Sequence, residues 1–438
     1  MLRREVDSYL QAYCRGPVKK CLVIRGARQV GKTFSVRELA KSGIFSSYIE
    51  VNFLKNPELC EIFSGSLDTQ SLLMAFSVYM PESRFVPGST LLFLDEIQEC
   101  PQAITSLKFW AEDGRFRVIA SGSMLEMDYK RPTSYPVGSV QYLDMKPLGF
   151  REFLWALGMQ DSVIDMLKGH VKDCSPVPEG IHEKLMTYLR TYMVVGGMPE
   201  VVQNLVDTRN LETVDATQRA LLEDYRNDIA HYAPPEIKIK AEKCYFSIPN
   251  QLGKENHKFQ YSVVERGGSA RKFGDSIDWL RNADLVLYCC NVSNVESPLR
   301  SFADEENFRL YPTDIGLLTA MYDFSVKKMI LSEQTRASAI GQAKGALVEA
   351  LVACMLTHTP DRQLYFCKND STHMELEFLL SSADGVIPVE VKAGNSRSRS
   401  LDRILEKDGV PYGCKLVSGN AGVTGKKRTL PLYMAMFL

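Results

Sequence analysis

The chain has 438 residues, 45% of them apolar and 24% charged, and a net charge of −1. This is the composition of a soluble globular protein with an ordinary core, long enough for two or three domains. Near-zero net charge excludes a global electrostatic drive toward nucleic acid or membrane, so any DNA contact must come from a local basic patch. The eleven cysteines are scattered and form no C-x-x-C pair, and the six histidines are equally dispersed, so a zinc site has no support. No apolar run is long enough to cross a bilayer. The N-terminal stretch MLRREVDSYLQAYC reads as an amphipathic helix without the apolar centre of a signal peptide. The expected compartment is a reducing cytoplasm, with no membrane partner.

A helix over Glu5 to Tyr13 precedes CLVI, Cys21 to Ile24, which reads as a buried parallel strand. GARQVGKT follows at Gly26 to Thr33 and fits G-x-x-x-x-G-K-[ST], and the spacing of Phe34, Val36, Leu39 and Ala40 predicts a helix behind it. Strand, glycine-rich turn and helix together are the context that a phosphate-binding loop requires. Gly26 and Gly31 let the backbone curl so that its N–H groups face phosphate oxygens, and the helix N-terminus adds its positive end. The nucleotide-contacting set is therefore Gly26, Ala27, Arg28, Gln29, Val30, Gly31, Lys32, Thr33 and Phe34. Lys32 would reach the β and γ phosphates of ATP, and Thr33 would offer its hydroxyl to Mg²⁺. The alternative is an ordinary strand-to-helix turn with a chance match.

SYIEVNF (Ser47 to Phe53) reads as a second strand and Ser71 to Tyr79 as a helix. LLFLDEIQEC then runs from Leu91 to Cys100, four apolar residues leading into two acids. A buried strand delivers its carboxyl end to the rim where a nucleotide sits. Asp95 would hold Mg²⁺ through its water shell, and Glu96 would polarise the attacking water. A solvated acidic turn is the competing account. Arg117 to Ser123, RVIASGS, gives a further strand, and Ser121 or Ser123 would sense the γ-phosphate or orient the water, if it is more than a Ser-Gly turn. This alternation implies a three-layer α/β domain with a mainly parallel sheet, residues 1–170.

GARQVGKT, LFLDEIQ, SGS and PLGFREFL (Pro147 to Leu154) resemble a family of prokaryotic AAA-superfamily ATPases, as do GGMPEVV at Gly196 to Val202 and YPTDIGLL at Tyr311 to Leu318. The resemblance implies ATP binding and hydrolysis, often in rings of like subunits. Such proteins usually carry Gly-Arg shortly before the Pro-Leu segment, where this chain has Gly138-Ser139. If that arginine is a charge-stabilising finger, Arg131 or Arg151 would have to replace it here.

Leu167 to Gly180 turns polar and turn-rich, which places a domain edge there, and a middle domain spans residues 171–330. Helices are expected over Glu183 to Val194 and Asn210 to Ala230, with a corner at Gly196, Gly197 and Pro199. Asp228 near a helix end is a candidate for a contact elsewhere, or simply solvated. Phe246 to Asn291 has the pattern of a winged helix-turn-helix: helices over Ser247 to Gly253, Tyr261 to Val264 and Ala270 to Leu280, then strands Asp284 to Asn291 and Asn307 to Tyr311 as a wing. Arg271, Lys272 and Arg281 would meet DNA phosphates or base edges, though Glu265, Asp275 and Asp278 stand among them and a protein-binding spacer fits as well.

The last third, residues 331–438, opens with the helix KGALVEALVACML carrying Glu349. Strands follow over Leu364 to Cys367, Met374 to Leu380 and Ile387 to Val391. Residues i and i+2 share a strand face, so Glu390 and Lys392 project together and Glu377 joins them from the neighbouring strand. Carboxylates with one lysine are the minimal set for Mg²⁺-dependent phosphodiester cleavage. The arrangement is similar to the restriction-endonuclease superfamily core, PD-(D/E)XK. That resemblance puts Glu349, Glu377 and Glu390 at its metal positions and Lys392 at its lysine, with Glu377 where an Asp is usual. A half-buried hairpin reading E-x-K by chance is the alternative. NSRSRSLDR brings Arg397, Arg399 and Arg403, which would grip a phosphate backbone or solvate a loop before a helix over Leu401 to Glu406. Lys426, Lys427 and Arg428 read as a turn. Two outputs remain open: an ATPase that gates cutting or remodelling of DNA, and a nucleotide-controlled DNA- or protein-binding regulator whose C-terminal domain is inactive.

Overall fold

The computed structural model describes residues 2–17, 19–122, 136–254, 257–332, 341–369, 371, 373–392 and 398–438. The chain forms two compact units, the smaller from Arg3–Lys146 with Asn282–Asp284 and the larger from Pro147–Arg281 with Leu285–Leu438. The candidate residues Ser123, Arg131 and Arg397 lie outside the described residues.

In the smaller unit helix α1 (Glu5–Arg15) precedes strand β1 (Cys21–Arg25) and helix α2 (Lys32–Ala40). Strand β2 (Ser47–Asn52), helix α3 (Thr69–Tyr79), strand β3 (Thr90–Asp95), helix α4 (Pro101–Asp113), strand β4 (Arg117–Ser121) and strand β5 (Val140–Asp144) follow. The five strands are parallel, in the order β2-β3-β4-β1-β5. Both faces are covered, and the alternation along β1 shows how. Cys21 and Val23 enter a cluster with Phe76, Leu107 and Trp110 from α3 and α4. Leu22 and Ile24, equally buried, face the other way, which is the burial expected of a parallel sheet between helix layers. This is the three-layer α/β arrangement expected.

The larger unit holds an eight-stranded mixed sheet. Its strands are β6 (Val286–Val292), β7 (Ala303–Pro312), β8 (Leu364–Asn369), β9 (Met374–Ser382), β10 (Gly385–Val391), β11 (Gly413–Val417), β12 (Gly422–Thr424) and β13 (Lys427–Pro431), ordered β12-β13-β11-β10-β9-β8-β6-β7. The two strands expected to form a wing, β6 and β7, do pair antiparallel, but β6 also pairs in parallel with β8. A free-standing wing has one open edge per strand. β6 instead has a partner on each edge, and both its faces are buried. One sheet thus runs through the expected division at residue 330. The expected edge over Leu167 to Gly180 is largely helical, since Asp161–Asp173 and Glu179–Val195 are helices with a five-residue link. Lys427 and Arg428 are not a turn. They begin β13, paired with Gly413 and Cys414.

Two of the family-like stretches meet inside this unit. Asp314 accepts from the Gly197 amide at 2.6 Å and the Leu317 amide at 2.9 Å. Gln218 donates to the carbonyls of Val194, Val195 and Gly316. GGMPE and YPTDIG are therefore two halves of one close backbone approach, and Gly316 is required because a Cβ there would stand 2.2 Å from the Val195 carbonyl oxygen. Gly316→Ala should destabilise the protein by about 3 kcal/mol, the upper range for overpacking a tight contact. Urea denaturation checks this against Gly345→Ala, an exposed helical glycine with open space around it that should gain slightly from the change.

Candidate functional site

The first site gathers at the carboxyl ends of β1 and β3. Gly26 has φ +143°, and a Cβ on it would lie 2.1 Å from the Met145 carbonyl oxygen, so only glycine lets the chain leave β1 in this direction. Gln29 (φ 64°) and Gly31 (φ 98°) complete the curl, and Gly31 caps α2. The loop is tied from behind by Arg4, whose guanidinium donates to the carbonyls of Val30 at 2.9 Å and Lys146 at 2.7 Å. Ala27 and Val30 are buried inward, so they offer a ligand only their backbone, whereas Phe34 is half exposed on the first turn of α2. Arg28 is partly buried. Lys32 lies inside the loop, its Nζ donating to the carbonyls of Gly26 and Ala27, both at 2.9 Å. Burial lowers its pKa, opposed chiefly by the nearby charge of Glu96.

β3 is buried along its whole length and ends on Asp95, itself 1% exposed. A buried carboxylate needs donors. Asp95 accepts from the Thr33 hydroxyl at 3.1 Å, from Asn52 Nδ2 at 2.8 Å and from the Ser121 hydroxyl. The sheet order explains this ring, because β2 and β4 flank β3 and the pairing sets Asn52 opposite Asp95. The Ser121 hydroxyl is thus engaged with Asp95. Glu96, next in sequence, stands at φ 53°, and its Oε2 accepts from Gln98 Nε2 at 2.6 Å. Arg4, Asn52 and Gln98 escaped the sequence reading. Gln98 carried a signal, its place two residues after the acid pair. Asn52 showed only as a polar end to an apolar strand, and Arg4 showed nothing.

The second site lies in the larger unit. Helix α5 (Gly341–Leu356) is buried all round from Ala346 onward, and Glu349 is its one described carboxylate. Arg309 on β7, fully buried, donates to Glu349 Oε1 at 2.7 Å and to Glu375 at 2.7 Å. The Tyr311 hydroxyl also donates to Glu349 Oε1, and His257 Nδ1 meets Oε2 at 2.8 Å. Burial works against the Glu349 charge, but Arg309 and then His257 outweigh it and hold the carboxyl down to about 2. Beside it, Lys392 Nζ lies 3.0 Å from Glu377 and 3.4 Å from Glu390, while the other Glu377 oxygen accepts from the Val391 amide at 3.2 Å. So Glu377, Glu390 and Lys392 do come together as expected. Glu349 is drawn instead to Arg309, Tyr311 and His257. Among the described residues no group of three or more His, Cys, Asp or Glu is arranged to hold a metal ion.

The basic residues are mostly spent on neighbours. On the helix Ala270–Asn282, Lys272 pairs with Glu265, and Arg281 pairs with Asp278 at 3.6 Å while lying 4.0 Å over the Tyr288 ring. Arg271 is exposed. Arg151 stacks over Phe437 within the larger unit, Lys427 pairs with Asp402, and Arg428 covers Tyr412. Arg399 opens the helix Arg399–Ile404, which also carries Arg403. Among the described residues no helix is long and apolar enough to cross a membrane.

Burial pushes Glu377 up to about 7, against the pull of Lys392. A carboxyl whose pKa is raised on folding contributes stability below its unfolded value, and that contribution is lost as pH rises through the folded one. Unfolding midpoints should therefore fall from about pH 4.5 to pH 7 more steeply in wild type than in Glu377→Gln. Urea titrations across that window check it.

One family-model match falls on the first site. Residues 18–154 match a family model described as an AAA domain, and residues 186–328 match one described as a domain of unknown function (DUF8612). No curated protein matches the chain. Solved structures with a similar course include the Walker-type ATPase PABY2304 of Pyrococcus abyssi, 11% identical over 73% of this chain and 96% of that one, TM-score 0.43. The Aeropyrum pernix ORC1 protein in complex with DNA is 13% identical over 76% and 93%, TM-score 0.27. AMPPCP-bound DnaA from Aquifex aeolicus is 13% identical over 64% and 88%, TM-score 0.27.

Proposed function

We propose that the N-terminal part of this chain, where residues 18–154 match a family model described as an AAA domain, binds ATP through its P-loop and hydrolyses it, and that the chain works as a nucleotide-controlled switch. The observation that carries this is the meeting of Thr33 and Asp95 at 3.1 Å beneath a loop that already encloses Lys32. A hydroxyl and a carboxylate are hard oxygen donors, so Thr33 and Asp95 fit Mg²⁺, which would neutralise phosphate charge there. Lys32 exchanges its bonds to the loop carbonyls for the β and γ phosphates. The loop amides and the α2 N-terminus hold the phosphate chain in place. Glu96 takes the proton of the attacking water.

Lys32→Ala should abolish nucleotide binding and turnover together. Glu96→Gln should keep binding and lose about 10²- to 10⁴-fold in kcat. Steady-state ATP hydrolysis beside binding of a fluorescent ATP analogue, each with and without DNA, reads both. Wild type that binds without turnover in every condition would overturn hydrolysis and leave a binding switch. No arginine stands at Ser139, so a finger, if used, comes from elsewhere in the chain or from a second copy of it.

For the output, DNA remains a candidate partner, but the ion-paired state of Lys272 and Arg281 favours a protein partner. Cutting by the larger unit is disfavoured by one observation. Arg309, Tyr311 and His257 take both oxygens of Glu349, and Lys392 bridges Glu377 and Glu390, so side-chain cations already sit where a metal would add charge. We read this cluster as an internal ion network rather than a nuclease centre. In nucleotide-free protein, millimolar Mg²⁺ should leave the Tm at its value in a matched salt control. Arg309→Met, which leaves Glu349 without its guanidinium, should gain a saturable rise in Tm with Mg²⁺. A saturable rise in wild type that Glu377→Gln removes would restore the nuclease reading.

A further inference from the structure

We propose that Gln98 is a positioning residue for ATP hydrolysis, holding the Glu96 carboxylate in the orientation from which it receives the water's proton. The proposal rests on the ATPase reading and adds a residue to it. Gln98 is 1% exposed, inside the single turn Ile97–Glu99 that follows the acid pair. Its Nε2 donates to Glu96 Oε2 at 2.6 Å. The amide orientation is decided by chemistry: an ionised carboxylate only accepts, so the nitrogen faces Glu96 and the oxygen must point away. That oxygen, Oε1, is buried and has no hydrogen-bond partner among the described residues. It points at Gly122, just past the end of β4, where a Cβ would lie 2.5 Å from it.

Three features set this apart from an ordinary buried amide. Glu96 sits at φ 53°, a left-handed conformation uncommon for a glutamate, and no side chain caps the turn it starts. The bond from Gln98 therefore supplies a restraint that the local backbone does not. Second, a buried acceptor left unpaired carries a desolvation cost, which a leucine of similar volume at this position would avoid. A residue serving packing alone has no use for the amide, whereas one that must grip a carboxylate does. Third, the bond takes one oxygen of Glu96 and so fixes the direction in which the other is presented, and a general base works only within hydrogen-bond reach of its proton. Gly122 keeps the space for the amide on the far side, so the end of β4 and the acid turn are joined through one side chain.

The test separates positioning from packing. Gln98→Leu should lose about 10²-fold in kcat while the KM for ATP and the affinity for a fluorescent ATP analogue stay within about twofold. Gly122→Ala, which crowds Oε1 without touching the amide's own chemistry, should reproduce the fall in kcat with KM again within about twofold. It also keeps the proposal testable if Gln98→Leu does not fold. Wild-type kcat in either folded variant, or a fall in kcat matched by an equal loss of ATP affinity, would overturn the proposal and leave Gln98 as packing. A wild type that binds the analogue but shows no turnover would overturn the ATPase reading itself, an outcome distinct from the first.

Discussion

Asp95 is the constraint around which the smaller unit is built. A carboxylate 1% exposed at the end of an apolar strand is stable only if its lone pairs are met, and three elements supply the donors. Asn52 comes from the strand on one side, Ser121 from the strand on the other, and Thr33 from the helix behind the glycine loop. Each donor reaches Asp95 only with β2, β3 and β4 in their present order and α2 starting at Lys32. The chemistry of the site and the topology of the sheet are thus one requirement seen twice. Arg4 extends it outward, since its bonds to the Val30 and Lys146 carbonyls lock the loop through its backbone.

The smaller unit was largely legible in the sequence because its signals are local. CLVI, GARQVGKT and LLFLDE each combine an apolar run with the residue that ends it, and both the elements and their chemical ends follow from that. The donors around Asp95 were less legible. Asn52 lies far from Asp95 in sequence and meets it only through strand register, which no motif states. Ser121 was singled out, but for a nucleotide rather than for the carboxylate that its hydroxyl meets in this structure.

The larger unit was harder to read for the same physical reason. Its short strands were found, yet their pairing was not, because a strand carries no local mark of its parallel partner. β6 and β7 look like a wing when considered alone. What makes β6 an interior strand of eight is its second partner, β8, which lies beyond β7 and three helices in the sequence. Arg309 was missed outright. In the sequence it is one arginine among apolar neighbours, and only the fold reveals that its guanidinium lies fully buried between Glu349 and Glu375.

The two acidic centres are alike in sequence and opposite in electrostatics. Around Asp95 the donors are neutral: two hydroxyls and an amide. They satisfy lone pairs but leave the negative charge uncancelled, with the Lys32 ammonium held away on the loop carbonyls. A charge in that state is available to a hard cation that arrives with phosphate. Around Glu349 and Glu377 the donors include a guanidinium and an ammonium, so the charge is already cancelled inside the fold. A divalent ion entering there would first have to displace a buried arginine, which would then be left without its counter-charge in a core. On the proposed reading, it is the sign of the donors, more than the number of carboxylates, that separates a centre able to take a cation from one whose charge the fold already meets.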